Sequence, residues 1–203
     1  STRHTDPEAW VAELHALGYG AAYCPLDNSA DSAVIAAFVA AAKRANIVVA
    51  EVGAWSNPLS PDDGERKRAI EHCQKQLALA DAIGARCCVN ITGSRGPKWD
   101  GPHPDNLTPA TFELIVETIR AIIDAVKPKR TFWTLETMPW MYPDSLQSYL
   151  QLLDAIDRPG CAAHFDRVNW INSPQRYFAN AALIRDSGRA LGPRIKSVHV
   201  KDI

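Results

Sequence analysis

Residues 108–136, Thr-Pro-Ala-Thr-Phe-Glu-Leu-Ile-Val-Glu-Thr-Ile-Arg-Ala-Ile-Ile-Asp-Ala-Val-Lys-Pro-Lys-Arg-Thr-Phe-Trp-Thr-Leu-Glu, hold one complete structural unit. Thr108 is an N-cap residue and Pro109 suits the first helical position. Leu114, Ile115, Ile119, Ile122 and Val126 then recur at helical spacing. Residues 131–136 then form a β-prone run that closes on a carboxylate, Glu136.

The same unit recurs in both directions. Downstream, Asp144-Ser145-Leu146-Gln147 resembles a capping box for a helix carrying Leu146, Leu150 and Leu153, followed by a strand over 161–166. Ser173-Pro174 starts a sixth helix, and Gly192-Pro193 separates it from a last strand over 195–200. Upstream, a helix from about Pro61 to Ile83 carries Ile70, Cys73, Leu77 and Ala80, and Gly84 leads into a strand over 86–91. Before it come a helix opening at Asp31-Ser32 and closing at Asn46, then a strand over 47–52. The first unit is a helix capped by Asp6-Pro7, with Trp10, Leu14 and Leu17 on one face and Gly18 at its end, then a strand over 19–24.

Six helix-then-strand units with no hairpin signal imply a parallel sheet, since parallel neighbours need a crossover. An α/β barrel and a doubly wound sheet both satisfy that pattern. Glu51, Asn90, Glu136, Asp166 and His199 fall at or near the C-terminal ends of five different strands, which a barrel gathers at one mouth and an open sheet disperses. The expectation is therefore an α/β (β/α)8 TIM barrel formed by a single domain, residues 1–203. Only its first helix through its seventh strand are legible, so the natural polypeptide is expected to be longer at both ends.

Composition limits the function. At 203 residues, 46% hydrophobic and with a net charge of −1, the chain fits a soluble domain without the basic surface that nucleic acid or an anionic membrane requires. A small, roughly neutral substrate is expected instead. Neither a bilayer-spanning run nor a basic-then-apolar leader opens the chain, although residues 1–6 run abruptly into the first helix. The five cysteines form no C-x-x-C pair and are expected to be buried, reduced thiols of a cytoplasmic protein.

Glu136, Asp166 and His199 are thirty and thirty-three residues apart, about one unit each, which places them on adjacent strands facing one mouth. Oxygen and imidazole donors in this mix suit Mn²⁺, placed first, or Mg²⁺, Co²⁺ or Zn²⁺, and three protein ligands leave positions open for substrate. His164, two residues before Asp166, shares its strand face and is a candidate catalytic proton relay. The long segment 93–108 offers Lys98, Trp99 and His103 to a polar ligand. Trp55 and Trp140, in loops at the mouth, fit stacking on a sugar ring or an aromatic aglycone. Glu51, Asn90, Asn169 and Lys201 complete the candidate substrate-binding set.

The segments Thr134-Leu135-Glu136-Thr137-Met138-Pro139-Trp140, His164-Phe165-Asp166-Arg167-Val168-Asn169 and His199-Val200-Lys201-Asp202 resemble the xylose isomerase-like TIM-barrel superfamily of sugar isomerases and epimerases. The resemblance covers essentially the whole chain, and its most specific part is the H-x-K-D pattern. It implies a divalent metal held by Glu136, Asp166, His199 and a second Glu from the eighth barrel strand, which would lie beyond Ile203. It also implies a sugar substrate and proton removal next to a carbonyl, through an enediolate, with Glu136 as base.

Two departures from the ketose 3-epimerase pattern are Asn169 in place of a His and Tyr142 in place of a Glu, which argue against a free ketohexose as substrate. The scattered histidines do not supply the ligand set of the endonuclease IV branch. A metal-dependent 3-oxo-glycoside (C-glycoside) lyase subunit, a non-catalytic sugar-binding barrel and assembly with itself or a partner subunit are the open alternatives.

Overall fold

The computed structural model of the chain describes residues 5–202, so His4 and Ile203 lie outside the described residues. The helices form where the caps place them. Asp6 accepts hydrogen bonds from the Glu8 and Ala9 amides at the start of α1 (Pro7–Ala16), and Asp31 accepts from Val34 N at the start of α2 (Ser32–Arg44). α3 (Asp63–Ile83) is capped by Asp62, two residues inside the expected start, and closes at Gly84, whose φ of 76° is left-handed. α4 (Pro109–Val126) is capped by Thr108 as expected.

Two local expectations need correction. The capping box of α5 (Leu146–Ile156) is Ser145 with Ser148, not Asp144 with Gln147. Ser145 Oγ accepts from Ser148 N at 3.2 Å and Ser148 Oγ accepts from Ser145 N at 3.1 Å, so a serine at the third helical position does the work usually done by Glu or Gln. The sixth helix is two, α6 (Pro174–Phe178) and α7 (Asn180–Leu191). Ala179 leaves helical geometry with its N–H shared between the Gln175 and Tyr177 carbonyls, which tightens the turn and breaks the axis.

The six strands β1 (Ala21–Tyr23), β2 (Val48–Gly53), β3 (Cys87–Asn90), β4 (Trp133–Glu136), β5 (Cys161–Asp166) and β6 (Ile195–His199) are all parallel and lie side by side in chain order. A doubly wound sheet reverses its strand order at a switch point, and this sheet has no reversal. Its curvature follows from one contact. β2 and β6 are four strands apart, roughly 19 Å in a flat sheet at ~4.8 Å per strand, yet His199 Nε2 on β6 is 3.3 Å from Glu51 Oε2 on β2. Only a sheet curled into a barrel wall brings those side chains together, so the fold is the expected α/β TIM-type barrel, incomplete over this chain.

One continuous core lies between the wall and the helices. α4 contributes Ile115, Ile119 and Ile122, and Phe38, Leu77, Leu135 and Leu152 meet them from neighbouring elements. Each such side chain stabilises the fold by about 1.5–3 kcal/mol through burial. The cysteines are all free, and Cys24, Cys73, Cys88 and Cys161 belong to this layer. Burial pushes the thiols of Cys24 and Cys73 up to about 11 and those of Cys87 and Cys161 up to about 12, which keeps them protonated and unreactive. No helix among the described residues is long and apolar enough to cross a membrane.

Candidate metal centre

Alternation along a strand turns Glu136, His164, Asp166, Ser197 and His199 to the inner face of the wall. The parallel register pairs Glu136 with His164 and Asp166 with His199, so these residues stand at nearly one level. His199 Nδ1 is 3.4 Å from Glu136 Oε1 and 3.7 Å from Asp166 Oδ2. Lys201 Nζ lies 3.6 Å from Glu136 Oε1 and forms a close ion pair with Asp166 Oδ2. Asn169 Nδ2 donates to Glu136 Oε1 at 3.2 Å and Asp166 Oδ2 at 3.4 Å. The Arg167 guanidinium donates to the Lys201 carbonyl at 2.9 Å.

Beneath this cluster lies a second one. Glu51 Oε1 is 3.1 Å from His164 Nε2 and accepts a close hydrogen bond from the Ser197 hydroxyl, while Glu51 Oε2 faces His199 Nε2. The His164 and His199 rings meet edge to face with centroids 4.2 Å apart. His164 is fully buried and its backbone amide donates to the Tyr149 hydroxyl at 2.9 Å; that hydroxyl in turn donates to the Leu135 carbonyl.

The electrostatics follow from the packing. Burial pushes the Asp166 carboxyl up, but hydrogen bonds from His199 and Lys201 outweigh it and hold the group well below the usual carboxylate range. Glu51 is likewise raised by burial and lowered further by His164, His199 and Ser197, with a net depression. Asp166, Glu136 and Glu51 together push the His199 imidazolium up to about 11.

Glu136, Asp166 and His199 each offer one donor atom within 4.8 Å of the others, and so do Glu51, His164 and His199. The first trio fits a divalent ion by its chemistry. Two buried carboxylates beside one imidazole carry excess negative charge, which here draws Lys201 against both carboxylates. Asn169 and Lys201, expected as substrate ligands, join this trio, and Glu51 and His164 join the layer under it.

The remaining expected residues are used elsewhere. The Asn90 amide is committed to the backbone of Ser56, with both contacts at 3.3 Å. His103 Nδ1 accepts from Asp105 N at 3.3 Å, starting a short 3-10 turn over Pro104–Leu107 within the 93–108 segment. The Trp140 indole donates to the Asp100 carbonyl at 2.8 Å and ties down that segment. Trp55 donates to the Tyr23 hydroxyl at 3.1 Å, and it shares with Trp99 a groove of about 460 Å³ also lined by Asn57, Arg68 and His72. Tyr142 turns away from the centre, its hydroxyl donating to the Leu107 carbonyl at 3.1 Å. Sequence reasoning missed Ser197, which the two-residue strand period from His199 would have found, and Tyr149, which carries no sequence signal.

Solved structures share this architecture at low identity. A D-psicose 3-epimerase from Clostridium cellulolyticum H10, solved with D-tagatose, aligns with a TM-score of 0.67 at 17% identity over 93% of this chain and 66% of its own. The 3-keto-D-glucoside 4-epimerase YcjR from E. coli aligns at 0.67 and 11% identity over 98% of this chain and 75% of its own. The probable 3-DHS dehydratase AsbF from Bacillus anthracis aligns at 0.63 and 19% identity over 97% of this chain, which spans only 61% of AsbF. No curated protein sequence is similar enough to count as a relative. Residues 11–203 match the family model described as a xylose isomerase-like TIM barrel, and the chain belongs to that family.

Proposed function

We propose that the chain carries the active site of a divalent-metal-dependent sugar isomerase or epimerase. The observation that carries this reading is the convergence of Glu136, Asp166 and His199 at the C-terminal strand ends, the face on which barrels of this kind do chemistry. These three residues would hold the ion, with Mn²⁺ first among the candidates. When bound, the ion supplies Lewis-acid polarisation of a substrate carbonyl.

The chain's own groups do the rest. Glu136, on the inner face and oriented by the Asn169 amide, removes the proton α to the carbonyl, and the electron pair moves onto the carbonyl oxygen to give an enediolate. Returning a proton to the opposite face inverts the carbon; returning it to the neighbouring carbon interconverts aldose and ketose. Lys201 sits on the rim beside both carboxylates and balances their charge.

A second reading is favoured by one observation, the groove between Trp55 and Trp99, which offers aromatic surface to the second ring of a glycoside. On a 3-oxo-glycoside the same proton removal would expel the aglycone by β-elimination. Incubating the protein and Mn²⁺ with free ketoses and with 3-oxo-glucosides in deuterated water separates the two. Deuterium at carbon without aglycone release supports the isomerase reading, and aglycone release supports the lyase. Deuterium uptake into neither substrate set, together with Glu136→Gln protein that binds metal as tightly as wild type, overturns both.

A further inference from the structure

We propose that Glu51 is the positioning residue of the metal centre, accepting the Nε2–H of His199 so that the Nδ1 lone pair of that ring points at the ion. The inference rests on the metal reading of Glu136, Asp166 and His199. A neutral imidazole has one protonated and one bare nitrogen, and its hydrogen-bond partner decides which is which. Here the two nitrogens face opposite ways. Nδ1 looks toward Glu136 and Asp166 at 3.4 and 3.7 Å, and Nε2 looks toward Glu51 Oε2 at 3.3 Å. With the metal side fixed at Nδ1, the proton must sit on Nε2, and Glu51 is the acceptor in reach.

The rest of the deeper cluster serves the same end. Glu51 Oε1 is held by the Ser197 hydroxyl and by His164 Nε2, leaving Oε2 for His199. His164 is fully buried and its Nδ1 has no partner among the described residues, so the polar function of its ring is spent on Glu51. Its edge-on contact with the His199 ring limits rotation of that ring. This gives His164 a supporting place beside Glu51. It also gives Glu51 a role that its distance of 148 residues from His199 conceals.

The test uses Zn²⁺ as probe, in competition with a chromophoric chelator. Wild type is expected to bind one ion per chain. Glu51→Ala should weaken binding by about 10- to 100-fold, the usual effect of removing a ligand-orienting carboxylate. Glu51→Gln keeps an acceptor oxygen and should recover most of the loss. In ¹⁵N-histidine spectra of the Zn²⁺-loaded protein, His199 should show a metal-bound Nδ1 and a slowly exchanging Nε2–H; Glu51→Ala loses the latter and Glu51→Gln regains it.

Where Glu51→Ala does not fold, Glu51→Asp retains the charge, withdraws the acceptor by one methylene and should still weaken binding by about 3- to 10-fold. Equal affinity of wild type and the Glu51 variants overturns the role of Glu51 alone. So do two ions per chain, which would make Glu51, His164 and His199 a second metal site. Failure of wild type to bind Zn²⁺ removes the metal reading itself.

Discussion

Titrating a divalent ion into metal-free protein at pH 8 should release close to one proton per ion, and His199 is its source. Without metal, Asp166, Glu136 and Glu51 surround this imidazole and push it up to about 11, so it is fully charged at pH 8. An imidazole must be neutral to bind a metal, and the ion therefore displaces the proton. An unperturbed histidine, with a pKa of about 6.5, would release only about 0.03 proton at the same pH. Lys201 adds nothing to the count, because relief from its carboxylate neighbours returns it toward ~10.5, still charged at pH 8.

The affinity carries the same linkage. Between about pH 6.5 and 10 it should rise tenfold per pH unit, about 1.4 kcal/mol each, as the competing proton becomes scarcer. Calorimetric titration in two buffers of different ionisation enthalpy counts the protons directly. Release below about 0.2 proton at pH 8, or an affinity flat from pH 6.5 to 9, would refute the arrangement of His199 between three carboxylates.

Three further outcomes are expected. In metal-free protein, the charged His199 stabilises the fold fully below its ordinary pKa of about 6.5 and loses that contribution as pH rises toward 11, while the depressed carboxyls of Glu51 and Asp166 contribute above about 4.5 and fail below it. The Tm of chelator-treated protein should therefore peak between about pH 5 and 6.5, and a Tm that climbs from pH 7 to 10 would contradict this sign. Gly93→Ala places a Cβ against Asn57 Oδ1 at a residue whose φ is 97°, and should cost about 2–4 kcal/mol, seen as a Tm loss of about 5–15 °C. Tyr149→Phe strips the hydroxyl that links Leu135 O to His164 N and should cost about 1–3 kcal/mol by denaturant titration, with Zn²⁺ affinity changed less than threefold; a larger affinity loss would place Tyr149 in the metal centre.

The helices and strands were legible because their signals are local. Asp6-Pro7, Thr108-Pro109 and Gly84 mark helix ends through hydrogen bonds within three residues or through backbone freedom at one. The trio Glu136, Asp166 and His199 was legible for a related reason. Each ends its own strand, adjacent strands are one unit apart in sequence, and the repeat therefore counts off the candidate ligands. Where the sequence misled, competing local chemistry won, as at Ser148, which caps α5 in place of Gln147, and at Ala179, where the helix breaks.

Tertiary structure alone decided which polar residues share the interior. Glu51 and Asn90 look alike in sequence, both polar and near strand ends. The curl of the wall carries Glu51 to His164 and His199 from across the barrel, whereas Asn90 is absorbed by the Ser56 backbone beside it. Periodicity records which face a side chain takes, and says nothing of how far a sheet bends before that face meets itself. That bend brought three strand-end candidate ligands together and set a carboxylate beneath them.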